Sequence, residues 1–222
     1  MWRDAALVAG KDIRIEARSR VATNQVAPFA LLVLVLFAFA LDPNRDVLRQ
    51  AASGLYWVAV LFSSVLAIQR SSAIEAGEGT RDQLRMSGLD PAGVFLGKAA
   101  AVAAQLLALE ILLGIGVVVL YNARIASPWL VVGACVLATV GLAAAGTLYG
   151  SLAAGLKVRE TLLPLLFLPV AAPVLLSATQ AWQAALGGHP GDGTQWLQIL
   201  AVFSIIYVAF GVLGYGSLLE ET

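Results

Sequence analysis

Glu110 is the residue in this 222-residue sequence that most needs a chemical explanation. It sits midway along an apolar run, with Gln105 five residues before it. A carboxylate at the centre of a bilayer costs roughly 2.5–3.5 kcal/mol on insertion scales. Such a group faces a bundle interior, a water-filled path or a partner subunit, or it carries a proton. Two readings stand side by side: Gln105 and Glu110 line a pathway or interface, or Glu110 makes an interhelical hydrogen bond. The other reactive residues are isolated. His189, the sole histidine, lies in His189-Pro190-Gly191-Asp192-Gly193 with no axial partner or enclosing pocket evident for a haem iron. Cys135, the sole cysteine, lies in an apolar run and cannot form an internal disulfide. Gly93-Val94-Phe95-Leu96-Gly97-Lys98-Ala99 approaches a phosphate loop but fails on spacing, and Ala99 stands where Ser or Thr must hold magnesium. Lys98 is instead expected to snorkel to the membrane interface. No zinc-ligand spacing, catalytic triad or carboxylate pair is apparent. The expectation is a non-enzyme with no catalytic residue, no metal site and no directly bound cofactor, so any ATP dependence comes from another chain.

The elements that position these residues follow from composition. Apolar residues make up 59% and charged residues 13%, against about half and a quarter in soluble domains. The formal net charge is zero, so nothing points to nucleic acid. Six apolar runs, near residues 21–41, 51–68, 99–121, 129–152, 162–182 and 196–219, each have about the length of a hydrocarbon crossing. They show no period-two alternation and are too long for barrel strands. The predicted fold is an all-α integral membrane protein: one domain over 1–222, with an interfacial helix over 1–20 and a six-span bundle over 21–219.

Lys and Arg placement sets the expected orientation. Eleven lie before the first span and in the connections after the second and fourth; only Arg45, Arg49 and Arg124 lie on the other side. Both termini are therefore expected in the cytoplasm. Ala38-Phe39-Ala40 resembles a signal-peptidase site, and cleavage there would leave five spans. The preceding segment is long and carries Asp4, Asp12 and Glu16, so the expectation is an intact first span. Upstream, Trp2, Ala6, Ala9, Ile13 and Ala17 share one helical face, with Lys11, Arg14 and Arg18 opposite. That pattern suits a helix lying on the membrane, its cations toward anionic headgroups.

The connection after the second span carries its own local signals. Thr80 and Gln83 have capping-box spacing, and Gly88 is placed to end the helix they start. A short helix over 81–86 is expected, with Asp90 capping the third span and Pro91 in its first turn. Held between two membrane helices, it is either a lever on which a partner pushes or a well-capped loop. In the fifth span, Pro164, Pro169 and Pro173 each remove a backbone donor and can kink the helix. In the fourth, Gly146 and Gly150 form a small-xxx-small pair read as internal packing rather than dimerisation.

The stretch Glu78-Gly79-Thr80, Gln83-Leu84, Ser87 and Leu89, closing on Gly97-Lys98, resembles the coupling-helix region of type-2 ABC exporter permeases. Three further stretches resemble the CcmB family of cytochrome c maturation, the haem exporter protein B permeases. They are Trp2-Arg3 with Lys11-Asp12-Ile13-Arg14-Ile15-Glu16, the run from Gly54-Leu55-Tyr56-Trp57 to Ala67, and Leu162-Leu163-Pro164 through Pro169 with Pro173. The resemblance covers nearly the whole chain. It implies a membrane subunit paired with a cytoplasmic ATPase (CcmA-like), as a two-plus-two assembly in the inner membrane. It also implies association with a CcmC-like haem-handling protein, and ATP-driven release of a CcmE-like haem chaperone. Haem would be handled by the complex and ATP hydrolysed by the partner subunit. The tryptophan-rich haem motif of CcmC is missing here, so haem binding to this chain is not expected. Glu75, Glu78, Gly79, Thr80, Gln83 and Leu84 would form the ATPase-coupling contact. The resemblance assigns no role to Glu110 or His189. Other readings are an ABC-2 permease exporting a lipid, polysaccharide or drug, a non-transporting assembly scaffold, or a secondary transporter using Glu110 for protons.

Overall fold

The computed structural model describes residues 1–20, 22–41, 45–76, 88–154, 159–187 and 190–221. Among these the regular elements are all helical: α1 (Trp2–Ser19), a π-helical turn (Ala22–Val26) leading into α2 (Ala27–Leu41), α3 (Arg45–Ala76), α4 (Pro91–Tyr121), α5 (Pro128–Ala154), α6 (Arg159–Gly187) and α7 (Pro190–Glu221). Six of these helical segments are long and apolar enough to cross a membrane, with mean hydropathy between 1.9 and 2.4. The six expected spans are all present, and most are longer than their apolar runs. α3 in particular continues well past the run 51–68 at both ends.

Local chemistry explains several boundaries. Asp90 accepts a hydrogen bond from the Ala92 N–H at 3.3 Å, with Pro91 in the first turn of α4, the expected N-cap pair. Gly88, just before it, has φ +66, where a Cβ would be strained. α1 ends at Arg20 in the left-handed region, whose N–H bonds to the Glu16 carbonyl at 3.1 Å. There the chain leaves the surface helix and enters the first span. α6 runs through Pro164, Pro169 and Pro173 as one helix. Nearby carbonyls of that helix find side-chain donors: Ser177 donates to Pro173 O and Tyr207 of α7 donates to Val170 O, each at 2.8 Å.

α5 is the central post, packed against α3, α4, α6 and α7. Small residues let it take that position. A Cβ at Gly146 would collide with the Ile68 side chain of α3, and one at Gly150 would meet Ser72 Oγ at 2.5 Å. The pair is thus a contact between α5 and α3 within the chain. Further along α5, Ser204 of α7 donates to Leu137 O at 2.7 Å beside Gly141. Alternate crossings put α1, the start of α4 and the end of α7 at one end of the bundle, where Gly216 approaches Pro91. At the opposite end, the Ala126 and Ser127 N–H groups bond to Ala185 O at 3.0 and 3.2 Å.

Candidate functional site

α1 has three faces rather than two. Ala5 and Val8 are buried against α4 and Asp12 is half-buried, while Trp2, Ala6, Ile13 and Ala17 remain exposed. At about 100° per residue the second set forms its own stripe beside the first. Of the apolar face expected from the sequence, Trp2, Ala6, Ile13 and Ala17 are exposed and Ala9 is half-buried, and a separate small-residue face holds the protein. α4 receives it through Gly93 and Gly97. A Cβ at Gly93 would stand 2.7 Å from Met1 O, and one at Gly97 would stand 2.6 Å from Ala5 O. The glycines that approach a phosphate loop in sequence are thus a helix-docking groove.

Charges pin both ends of that contact. The Met1 ammonium lies 3.3 Å from Asp4 Oδ2 and 3.4 Å from Asp90 Oδ2, and the Asp90 N–H donates to Asp4 Oδ2 at 3.4 Å. The Asp90 amide, helped by the Met1 ammonium, holds the Asp4 carboxyl below its usual range. Asp4, and more weakly Asp90, hold the ammonium above its usual value. At the other end of α1, Arg70 of α3 donates to Glu16 Oε2 at 2.9 Å.

At the Arg70–Glu16 anchor, whose two residues line it, lies a cavity of about 370 Å³, bounded by α1, α3 and α4 and reaching Ala27 of α2. Gln105 lines it, and its Nε2 has no hydrogen-bond partner among the described residues. Lys98 lines it too and is 2% exposed, which corrects the snorkelling expectation. The docked α1 covers the route by which the lysine would reach water.

Glu110 belongs to a different environment on the same helix. Its Oε1 accepts from Thr139 Oγ1 of α5 at 2.6 Å, and its backbone carbonyl accepts from Tyr56 Oη of α3 at 3.2 Å. Tyr56 Oη also lies 3.4 Å from Cys135 Sγ. The Tyr56 ring stacks on Trp182 of α6 at 3.9 Å and meets Trp57 edge-on at 5.2 Å. Glu110 thus ties α4 to α5 beside an aromatic cluster contributed by α3 and α6. Gln105 and Glu110 are not brought together: one faces the cavity, the other the α5 interface. Tyr56, Cys135 and Thr139 were missed in the sequence. Cys135 and Thr139 stand one turn apart in an apolar span, the spacing by which two polar groups share a face.

The expected coupling residues Glu78, Gly79, Thr80, Gln83 and Leu84, the short helix over 81–86 and His189 lie outside the described residues. Glu75 falls in the last turn of α3. No cluster of three or more His, Cys, Asp or Glu suited to a metal ion occurs among the described residues.

Six apolar helices around a buried carboxylate, with an amphipathic helix packed at one end, define a polytopic α-helical membrane protein. The CcmB protein family model matches residues 4–220, and the chain belongs to that family. Among its relatives, heme exporter protein B of Paracoccus denitrificans is 27% identical over 90% of this chain and 92% of the relative. The protein of that name in Pseudomonas aeruginosa is 28% identical over 93% of each chain. In Escherichia coli K12 it is 32% identical over 82% of this chain and 83% of the relative.

Proposed function

We propose that this chain is the membrane permease subunit of an ABC transporter for cytochrome c maturation, handling haem or driving release of a haem chaperone. The observation that carries this reading is the family match over residues 4–220, together with relatives named heme exporter protein B. ATP is hydrolysed by a separate CcmA-like subunit on the cytoplasmic side. A CcmC-like protein and a CcmE-like chaperone complete the assembly, and two copies of this chain pair within it. The charge asymmetry supports an inner-membrane orientation with both termini in the cytoplasm.

The segment from Glu75 through Leu84 is the coupling element. It leads from α3 toward α4, two long helices packed against each other. An ATPase moving this segment would tilt both spans together, and α5 with them. Haem is the cargo of the complex, and this chain contributes the path or the mechanical link rather than an iron ligand.

Deletion of the chain followed by haem staining of covalent c-type cytochromes tests the reading. Loss of holocytochromes, restored by the wild-type copy, is expected; normal levels would overturn it. Leu84→Asp tests the coupling segment separately. It should abolish co-purification of the ATPase while the chain still accumulates in the membrane.

A further inference from the structure

α1 is fastened to the bundle unevenly. Its first half rests on α4 with backbone against backbone: Met1 O and Asp4 meet Gly93, and Ala5 O and Val8 meet Gly97. Asp4 also accepts from the N–H of Asp90, the N-cap of α4. No side-chain rotation loosens such a contact, so this half follows α4.

The second half meets α3 differently. The cavity lies there, with Asp12, Ile15 and Glu16 of α1 and Ala67, Arg70 and Ser71 of α3 on its walls. α1 packs along α4 but makes no comparable contact with α3. Arg70 joins the two, donating from Nε to Glu16 Oε2 at 2.9 Å between half-buried side chains. From Val8, at Gly97, to Glu16 is about 12 Å of helix axis. A joint that far from the docked glycines, with a cavity beside it, has leverage and room to open.

The two attachments also flank residues 77–87 in the chain. Arg70 lies in the last two turns of α3, and Asp90 and Gly93 open α4. α1 therefore bridges the two helix ends that this segment connects.

We propose that α1 is a latch on the coupling element, hinged on α4 at Gly93 and Gly97 and closed onto α3 by the Glu16–Arg70 pair. Closed, it makes the ends of α3 and α4 move as one when residues 75–84 are pushed. Open, α3 shifts against α4 and part of the push is lost. Glu16 and Arg70 are positioning residues, acting through α1 rather than on any cargo. A charge-assisted hydrogen bond at a half-buried site suits a joint that must hold and also break. The coupling role rests on the proposed reading of residues 75–84; the latch geometry does not.

Distances between spin labels in the full-length chain, reconstituted without the ATPase, test the latch itself. Labels at exposed Ala17 of α1 and Ala73 of α3 span the joint, and labels at exposed Leu7 and Ala100 span the α1–α4 contact. Arg70→Gln and Glu16→Gln should each raise the population of longer Ala17–Ala73 distances about fivefold. The two together should raise it no further, since they remove one bond. Arg70→Lys should keep most of the wild-type distribution, and the Leu7–Ala100 distance should stay constant throughout. Unchanged Ala17–Ala73 distances in Arg70→Gln, additive effects in the double variant, or a lengthened Leu7–Ala100 distance would overturn the latch.

Holocytochrome yield tests the coupling role. Arg70→Gln should lower it about fivefold with ATPase co-purification retained, and Arg70→Lys should restore it. Full yield in Arg70→Gln would overturn that role. A wild-type chain that never co-purifies with an ATPase would instead overturn the ABC reading, and the label distances would still decide the latch.

Discussion

Gly97 of α4 lies directly beneath Ala5 of α1, so close that a Cβ on the glycine would stand 2.6 Å from the alanine carbonyl oxygen. Backbone meets backbone here, and no side-chain rotation relieves an added methyl group. Gly97→Val should therefore displace α1 and lower stability by about 1–3 kcal/mol, the usual cost of overpacking. Thermal unfolding in detergent, with a spin label at exposed Leu7 reporting α1 mobility, checks both effects. Gly10, in the same helix, has nothing near its Cβ position. Gly10→Ala should instead stabilise by about 0.5–1 kcal/mol.

The anchor at the start of α1 makes its docking pH-dependent in both directions. Asp4 is held below its ordinary 3.8, so its contribution is complete above that value and lost as pH falls through the lowered one. The Met1 ammonium is held above 8.0, so its contribution is complete below 8.0 and lost as pH rises through the raised value. The Leu7 label should be most immobile between about pH 4 and 8 and loosen on either side. Asp4→Asn should flatten both limbs, because the Asp4 carboxylate is the group that chiefly holds the ammonium charged.

Thr139 supplies the hydrogen bond to the Glu110 side chain across the α4–α5 contact. Thr139→Val removes that donor at nearly constant volume and should cost about 1–3 kcal/mol, the penalty for a buried acceptor left unpaired. Glu110→Gln keeps an oxygen for Thr139 and should preserve thermal stability. Its holocytochrome yield then separates the two roles. Normal yield assigns Glu110 to packing, and loss with a stable fold assigns it to the transport path.

Gly146 packs under Ile68 and leaves no room for a side chain. Gly146→Val should lower thermal stability by about 1–3 kcal/mol, and adding Ile68→Ala should recover much of it. Were this glycine a dimer contact, the same substitution would change oligomeric state and leave thermal stability intact. Size-exclusion chromatography beside the melting curve distinguishes the outcomes.

The six spans and the Asp90–Pro91 start of α4 were legible in the sequence. Hydropathy and capping act over a few consecutive residues, so the residues that form such features lie together in the chain. The roles of Lys98, Gly93 and Gly97 were not legible. A lysine at a helix end reads as snorkelling until α1, some ninety residues earlier, is laid across it. Two glycines four apart read equally as a turn, a phosphate cradle or a docking groove.

Sequence alone determined that this chain dissolves in lipid, how often it crosses and which end holds its cations, because these depend on summed transfer free energies and local charge. Tertiary structure decided which carboxylate meets which hydroxyl, which glycine lies under which helix, and where a cavity is left between them. Those facts depend on helix pairs far apart in sequence, whose mutual approach is set by close packing and shape rather than by hydrophobicity that lipid supplies equally well.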